Sequence, residues 1–136
     1  MKRLCIGLLL DFVIASSAWG EHPQDFLTTF SEQAKQENPA FSGCASSRGE
    51  QFFKTRHGDD NWSCATCHTD NPTATGKHAV TGKALEPLAP SANAERFTNP
   101  AKVDKWFKRS CKDVLQRECT AAEKGDVLAY LLSVNP

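Results

Sequence analysis

This 136-residue chain has one methionine, Met1, one tyrosine, Tyr130, and no excess of charge of either sign. Its 16 basic residues balance 16 acidic ones, which argues against general nucleic-acid binding, since that needs a clearly basic surface. The most apolar stretch, LCIGLLLDFVIA at residues 4–15, is interrupted by Asp11 and falls short of the roughly 20 apolar residues of a spanning helix. No stretch alternates apolar and polar residues as a half-buried strand would. No internal repeat, low-complexity tract or long linker divides the chain, and its length sets a prior of one domain.

The N-terminus reads as an export signal. MKR is a positive start, the apolar stretch follows, and AWG places small residues for cleavage after Gly20. The expectation is a cleaved signal over 1–20, a mature domain over 21–136, and a periplasmic protein that is not membrane-embedded; a retained anchor is the rival. Met1 and Cys5 would leave with the signal. The mature part carries 14 basic and 15 acidic residues, unevenly placed. Residues 21–95 hold 6 basic and 10 acidic groups, whereas residues 96–124 hold 8 basic and 4 acidic. That basic stretch is either an ordinary solvated face or a docking patch for an acidic partner.

The mature pattern is helical. Pro23 in a first turn, then Phe26, Phe30 and Ala34, reads as an amphipathic helix ending before Asn38-Pro39. Ser47-Arg-Gly-Glu50 reads as a capping box opening a second helix with Phe52 and Phe53. Asn99-Pro100 reads as a cap and first-turn proline, with Val103, Trp106 and Phe107 on one apolar face. Thr120-Ala-Ala-Glu123 opens a final helix bearing Val127, Tyr130, Leu131 and Val134. Between Thr69 and Thr98 the chain is Gly- and Pro-rich with little periodicity. The aromatic content exceeds what a small bundle needs, as if the helices enclose a flat apolar group.

Within NWSCATCHTDNP lies Cys64-x-x-Cys67-His68, the attachment signature of haem c. Two thiols a helical turn apart can form thioethers with the two vinyl groups, and the next residue's imidazole then meets the iron. A redox disulfide is the first alternative, but no βαβ pattern surrounds the pair. Half a zinc site is the second, but no further closely spaced Cys or His pair follows. One haem c, covalent through Cys64 and Cys67 with His68 as proximal ligand, is the expectation. The distal side is the open question. A methionine usually closes it in an electron-carrying cytochrome c, and the mature chain has none. His22, His57 and His78 remain, with His78 the foremost candidate among them.

The segments GKHAVTGKALEPLAPSANAERFTNPAKVDKWFKRSCKDVLQREC and EKGDVLAYLL, with the haem motif, resemble the SHP-type (sphaeroides haem protein) monohaem cytochromes c, relatives of cytochrome c″. The resemblance runs from about Phe41 to Leu132. It implies an all-α, class I cytochrome c-like fold around one covalent haem, with an added N-terminal helix. In that family the distal ligand directly precedes the first cysteine of a C-terminal disulfide: Asn in the SHP type, His in cytochrome c″. Carried over, the disulfide is Cys111–Cys119, which also suits an exported chain, and the ligand position is Ser110, a departure from both. A neutral hydroxyl is a poor iron ligand, so the expectation is a weak or absent distal ligand, with a swing-in by Lys108 as another outcome. Pro72 lies where small class I cytochromes c use a proline carbonyl to orient the proximal imidazole; a plain turn proline would look the same. Cys44 receives no role.

The function expected is that of an electron-transfer haem protein whose reduced iron binds small diatomic molecules, O₂ or NO. The resemblance implies a dihaem cytochrome c or a membrane cytochrome b as electron donor. The alternative is a plain six-coordinate electron-transfer cytochrome with His78 or a lysine as distal ligand. A redox enzyme ranks last, because no distal His–Arg pair can be picked out.

Overall fold

The computed structural model describes residues 21–136; the expected export signal, 1–20, lies outside them. The order is α1 (Pro23–Glu37), α2 (Ser46–Lys54), α3 (Cys64–His68), β1 (Gly76–Lys77), β2 (Ala84–Leu85), α4 (Pro100–Leu115) and α5 (Ala121–Ser133). The fold is all-α, as expected, with one addition. β1 and β2 form a minimal antiparallel hairpin, Gly76 opposite Leu85 and Lys77 opposite Ala84. Strands of two residues cannot show an alternation in sequence.

α1 buries Phe26, Phe30 and Ala34, the stripe expected from their spacing of four. Asp25 closes its first turn by accepting the His22 N–H at 2.7 Å. α4 is capped by Asn99, whose side chain accepts the Lys102 N–H at 3.1 Å. It ends at Gln116 in the left-handed region, φ 60°. α5 has the expected capping box: Thr120 Oγ1 accepts from Glu123 N–H at 3.2 Å, and Glu123 accepts from Thr120 N–H at 2.9 Å. α2 differs from expectation. It begins at Ser46, its N-cap is Ala45, and no side chain of its own caps it. The Ala45 N–H is taken instead by Asp126 of α5 at 2.7 Å, so a tertiary contact replaces the local box.

The centre of the molecule is the packing of α5 against α1 and α2. One apolar cluster joins Phe26, Phe30, Val103 and Leu128; a second joins Phe53, Val127, Tyr130 and Leu131. Phe97 and Phe107 pack against both, and Phe107 meets Phe30 edge-on with ring centroids 5.5 Å apart. The α2–α5 approach depends on Gly49, where a Cβ would overlap the Asp126 carbonyl oxygen. α4 reaches the rest through Val103 and Phe107, while its backbone stands off from the other helices. Trp106, expected on that apolar face, remains 48% exposed. Lys105 and Arg109 lie over its ring at 5.6 and 5.7 Å from the centroid, which is how the indole is accommodated at the surface.

Candidate functional site

α3 is five residues long and consists of the motif CATCH and nothing else. Ser63 and Thr66 build its start: Ser63 Oγ accepts the Thr66 N–H at 3.2 Å, and Thr66 Oγ1 accepts the Ser63 N–H at 2.9 Å. Its end is as sharp. Thr69 takes φ 62° and ψ 169°, outside helical space for an L-residue, so His68 closes the last turn. A helix this short would not stand alone in water. It is held by its neighbours: Cys64 and Ala65 lie against the Phe53–Tyr130 cluster. On the other side the β1–β2 hairpin comes so close that a Cβ at Gly76 would overlap the Cys67 carbonyl oxygen. The Ala79 N–H meets Cys67 Sγ at 3.3 Å, tying the hairpin to the second thiol.

Cys64 and Cys67 are free thiols on successive turns, not bonded to each other. Burial, reinforced by Cys67, pushes the Cys64 thiol up to about 11, so it is protonated at neutral pH. His68 is held down to about 4, by burial first and by the Arg96 charge second. Its imidazole is therefore neutral, as a metal ligand requires. Among the described residues no three His, Cys, Asp or Glu side chains stand close enough to hold a metal ion by themselves. That donor set does not suit zinc, which takes three or four protein ligands. It does suit haem c, which needs two thiols and one imidazole and brings its own ring nitrogens.

Pro72 is among the largest fully buried residues. Its carbonyl oxygen accepts N–H bonds from Leu88 at 2.9 Å and Ala89 at 3.0 Å. Both lone-pair sites of that oxygen are thus engaged by main chain, and a ring N–H from His68 would have to share it. The two contacts fold the 86–89 segment over the loop that follows α3. Arg96, which the sequence did not single out, secures the same segment: Nε donates to Pro87 O and Nη2 to Glu86 O, each at 2.9 Å. The next residue, Phe97, takes a left-handed φ of 57° and packs its side chain against both apolar clusters.

The candidates for the distal side are dispersed. Ser110 is exposed on α4, one turn beyond Trp106 and beside Cys111. Cys111 is bonded to Cys119 with Cα atoms 5.6 Å apart, so the bridge ties α4 to the turn before α5. Lys108 is exposed, 4.0 Å from Glu118. His57 has Nε2 3.0 Å from Phe52 O, a contact in which the ring donates. His78 Nδ1 accepts the N–H groups of Val80 at 3.3 Å and Thr81 at 3.2 Å. Both bonds engage one ring nitrogen within the hairpin turn. Cys44 packs where a Cβ on Gly125 would sit, away from α3, and burial raises its thiol pKa.

A short C-x-x-C-H helix lying against α2 and α5, with a separate helix bearing a disulfide, defines a c-type cytochrome of the all-α kind. Comparison with known proteins narrows this. A family model described as a domain of unknown function, DUF1924, matches residues 39–131. Cytochrome c″ of Methylophilus methylotrophus is 41% identical over 104 residues, covering 74% of this chain and 72% of that protein. The cytochrome c-type protein SHP of Cereibacter sphaeroides is 48% identical over 82 residues, 59% of this chain and 63% of that protein, a little under two thirds of its length. The crystal structure of oxidised cytochrome c″ superposes with a TM-score of 0.77 at 34% identity, covering 84% of this chain and 95% of that one. Oxidised SHP, described as an oxygen-binding cytochrome c, superposes at 0.76 and 34% identity, covering 85% of this chain and 100% of that one. The chain belongs to this family: it is an SHP-type cytochrome c related to cytochrome c″.

Proposed function

We propose that the chain is a periplasmic monohaem cytochrome whose reduced iron is available to O₂ or NO. Cys64 and Cys67 are the residues that would hold one haem c covalently, and His68 the residue that would ligate it from the proximal side. Bound there, haem supplies an iron that cycles between two oxidation states and offers a sixth coordination position. The protein's part is to leave that position weakly contested. Ser110 presents a neutral hydroxyl, Lys108 keeps a solvated ammonium beside Glu118, and the rings of His57 and His78 are hydrogen-bonded to main chain.

The observation that carries this reading is the donor set itself. The described residues contain no methionine, and the residue before Cys111 is a serine. The likeness to SHP, an oxygen-binding cytochrome c by description, supports it. Val80, 71% exposed on the hairpin bound to Cys67, and Trp106, one turn from Ser110, are the large apolar side chains left at the surface among the described residues. No helix of the described residues is long and apolar enough to cross a membrane. Electrons would come from a dihaem cytochrome c or a membrane cytochrome b, with the basic, solvent-facing side of α4 as the docking face.

The test is an absorption spectrum of oxidised and reduced protein, with and without CO. High-spin ferric bands and a prompt shift of the reduced Soret band on adding CO are expected. A low-spin spectrum in both oxidation states with no CO shift would instead favour the six-coordinate alternative with His78 or a lysine.

A further inference from the structure

The arginines of the described residues are exposed except one. Arg48 is paired with Asp126 at 2.8 Å and Arg117 with Glu123 at 2.7 Å. Arg109 stands 4.0 Å from Asp113, and Arg56 is at the surface with its Nη1 on Asn61 O. Arg56, without an ion pair, is exposed to water; Arg96 alone combines partial burial with the lack of one. It is partly buried, and it is absent from the ion pairs of the described residues. Desolvation of its guanidinium is the main influence on it, with the Glu86 charge second. A cation drawn partly out of water with no carboxylate in ion-pair contact is costly; two main-chain carbonyls do not neutralise it, and the Glu86 charge offsets it only from beyond contact.

The hydrogen-bond pattern shows which part of the guanidinium is uncommitted. Of its five N–H donors, Nε–H goes to Pro87 O and one Nη2–H to Glu86 O. The other Nη2–H and both Nη1–H groups have no hydrogen bond within the described residues. One from each Nη lies at the end of the fork, the edge that meets a carboxylate with two parallel bonds. The position is also fixed. The 86–89 segment that Arg96 secures is hydrogen-bonded to Pro72, four residues after His68, and the Arg96 charge is felt at the His68 ring.

We infer that Arg96 is the carboxylate-binding residue of the haem site, its free guanidinium edge receiving a propionate of the haem tethered at Cys64 and Cys67. This rests on the haem reading above and adds to it. The carboxylate supplies the counter-ion the guanidinium lacks, and the guanidinium holds the macrocycle's polar edge at the turn formed by residues 86–89. The positive charge is thereby neutralised beside His68, so Arg96 acts as a positioning residue that also tunes the site's potential.

The experiment compares wild-type holoprotein with Arg96→Met and Arg96→Lys, each matured with haem. Haem per chain is read by the pyridine haemochrome, folding by circular dichroism, the propionate bending band by resonance Raman, and the midpoint potential by titration. With the thioethers intact, haem content should be unchanged. In Arg96→Met the propionate band should shift and the potential fall, because an uncompensated carboxylate favours the oxidised iron. Arg96→Lys keeps the charge but not the fork, so the band should shift while the potential stays near wild type; this variant decides the matter if Arg96→Met does not fold. Unchanged band and potential in a folded variant would overturn the inference while leaving the haem reading intact. A colourless wild-type protein would overturn the haem reading, and this inference with it.

Discussion

Asp126 lies within α5, yet it holds both arms of Arg48: Nε at 2.8 Å and Nη2 at 2.8 Å. The same carboxylate takes the Ala45 N–H at 2.7 Å. It therefore takes up the N–H of the α2 N-cap residue, which no side chain of α2 accepts, and joins the start of α2 to α5. Arg48 reaches further, to Gly43 O, so one buried acid organises the whole entry to α2.

Asp126→Ala should destabilise the protein by about 3 kcal/mol, because charge-assisted hydrogen bonds of this kind contribute about 1.5–3 kcal/mol and the Ala45 donor is left unpaired. The midpoint of urea unfolding reads this directly. A loss below about 0.5 kcal/mol would show that the carboxylate does not join the start of α2 to α5.

Gly49→Ala puts a methyl group into the Asp126 backbone, which cannot move aside as a side-chain tip could. The alanine's gain in helix propensity, about 1 kcal/mol, is smaller than the overpacking cost, so a net loss of about 2 kcal/mol is expected. Stability equal to wild type would mean that α2 and α5 are farther apart than the structure places them.

Removing the Cys111–Cys119 bridge by a double substitution to alanine opens a loop of sequence separation 8. The expected cost is about 2.5 kcal/mol on the chain-entropy account. Because Ser110 adjoins the bridge, the ferric spectrum should change as well. Unchanged unfolding and an unchanged spectrum would contradict both effects.

Ser110→His puts a strong nitrogen donor at the position to which the family resemblance assigns the distal ligand. The oxidised spectrum should move to low spin and CO uptake by the reduced protein should slow. If neither changes, residue 110 does not face the metal.

Glu123 accepts from Arg117 at 2.7 and 2.8 Å and from the Thr120 N–H at 2.9 Å. The Arg117 bond, first, and the capping bond hold its carboxyl below the usual glutamate range. Since the folded pKa lies below the unfolded one, the stabilisation is complete above the ordinary glutamate value and is lost as pH falls through the folded pKa. Arg117 is largely solvated, so Glu123→Gln should cost only about 1 kcal/mol at neutral pH. The gap to wild type should narrow below the ordinary glutamate value and close once the pH has fallen through the depressed folded pKa. A gap that persists in acid would assign the effect to packing.

Much of this protein was determined by local sequence. Spacing of apolar residues by four defined α1, Asn99-Pro100 and Thr120…Glu123 marked the starts of α4 and α5, and Cys64-x-x-Cys67-His68 announced its chemistry, because each depends on groups within one or two helical turns. The tertiary structure decided the rest. α2 begins a residue earlier than its apparent box, and the N–H of its N-cap residue goes to Asp126, 81 residues away. The Pro72 carbonyl is occupied by Leu88 and Ala89, and Trp106 stays at the surface beside two cations. Arg96 was one arginine in a basic stretch until the chain folded back over Pro72 and drew it partly out of water. Desolvation and long-range hydrogen bonding arise only between segments distant in sequence, and periodicity carries no record of them.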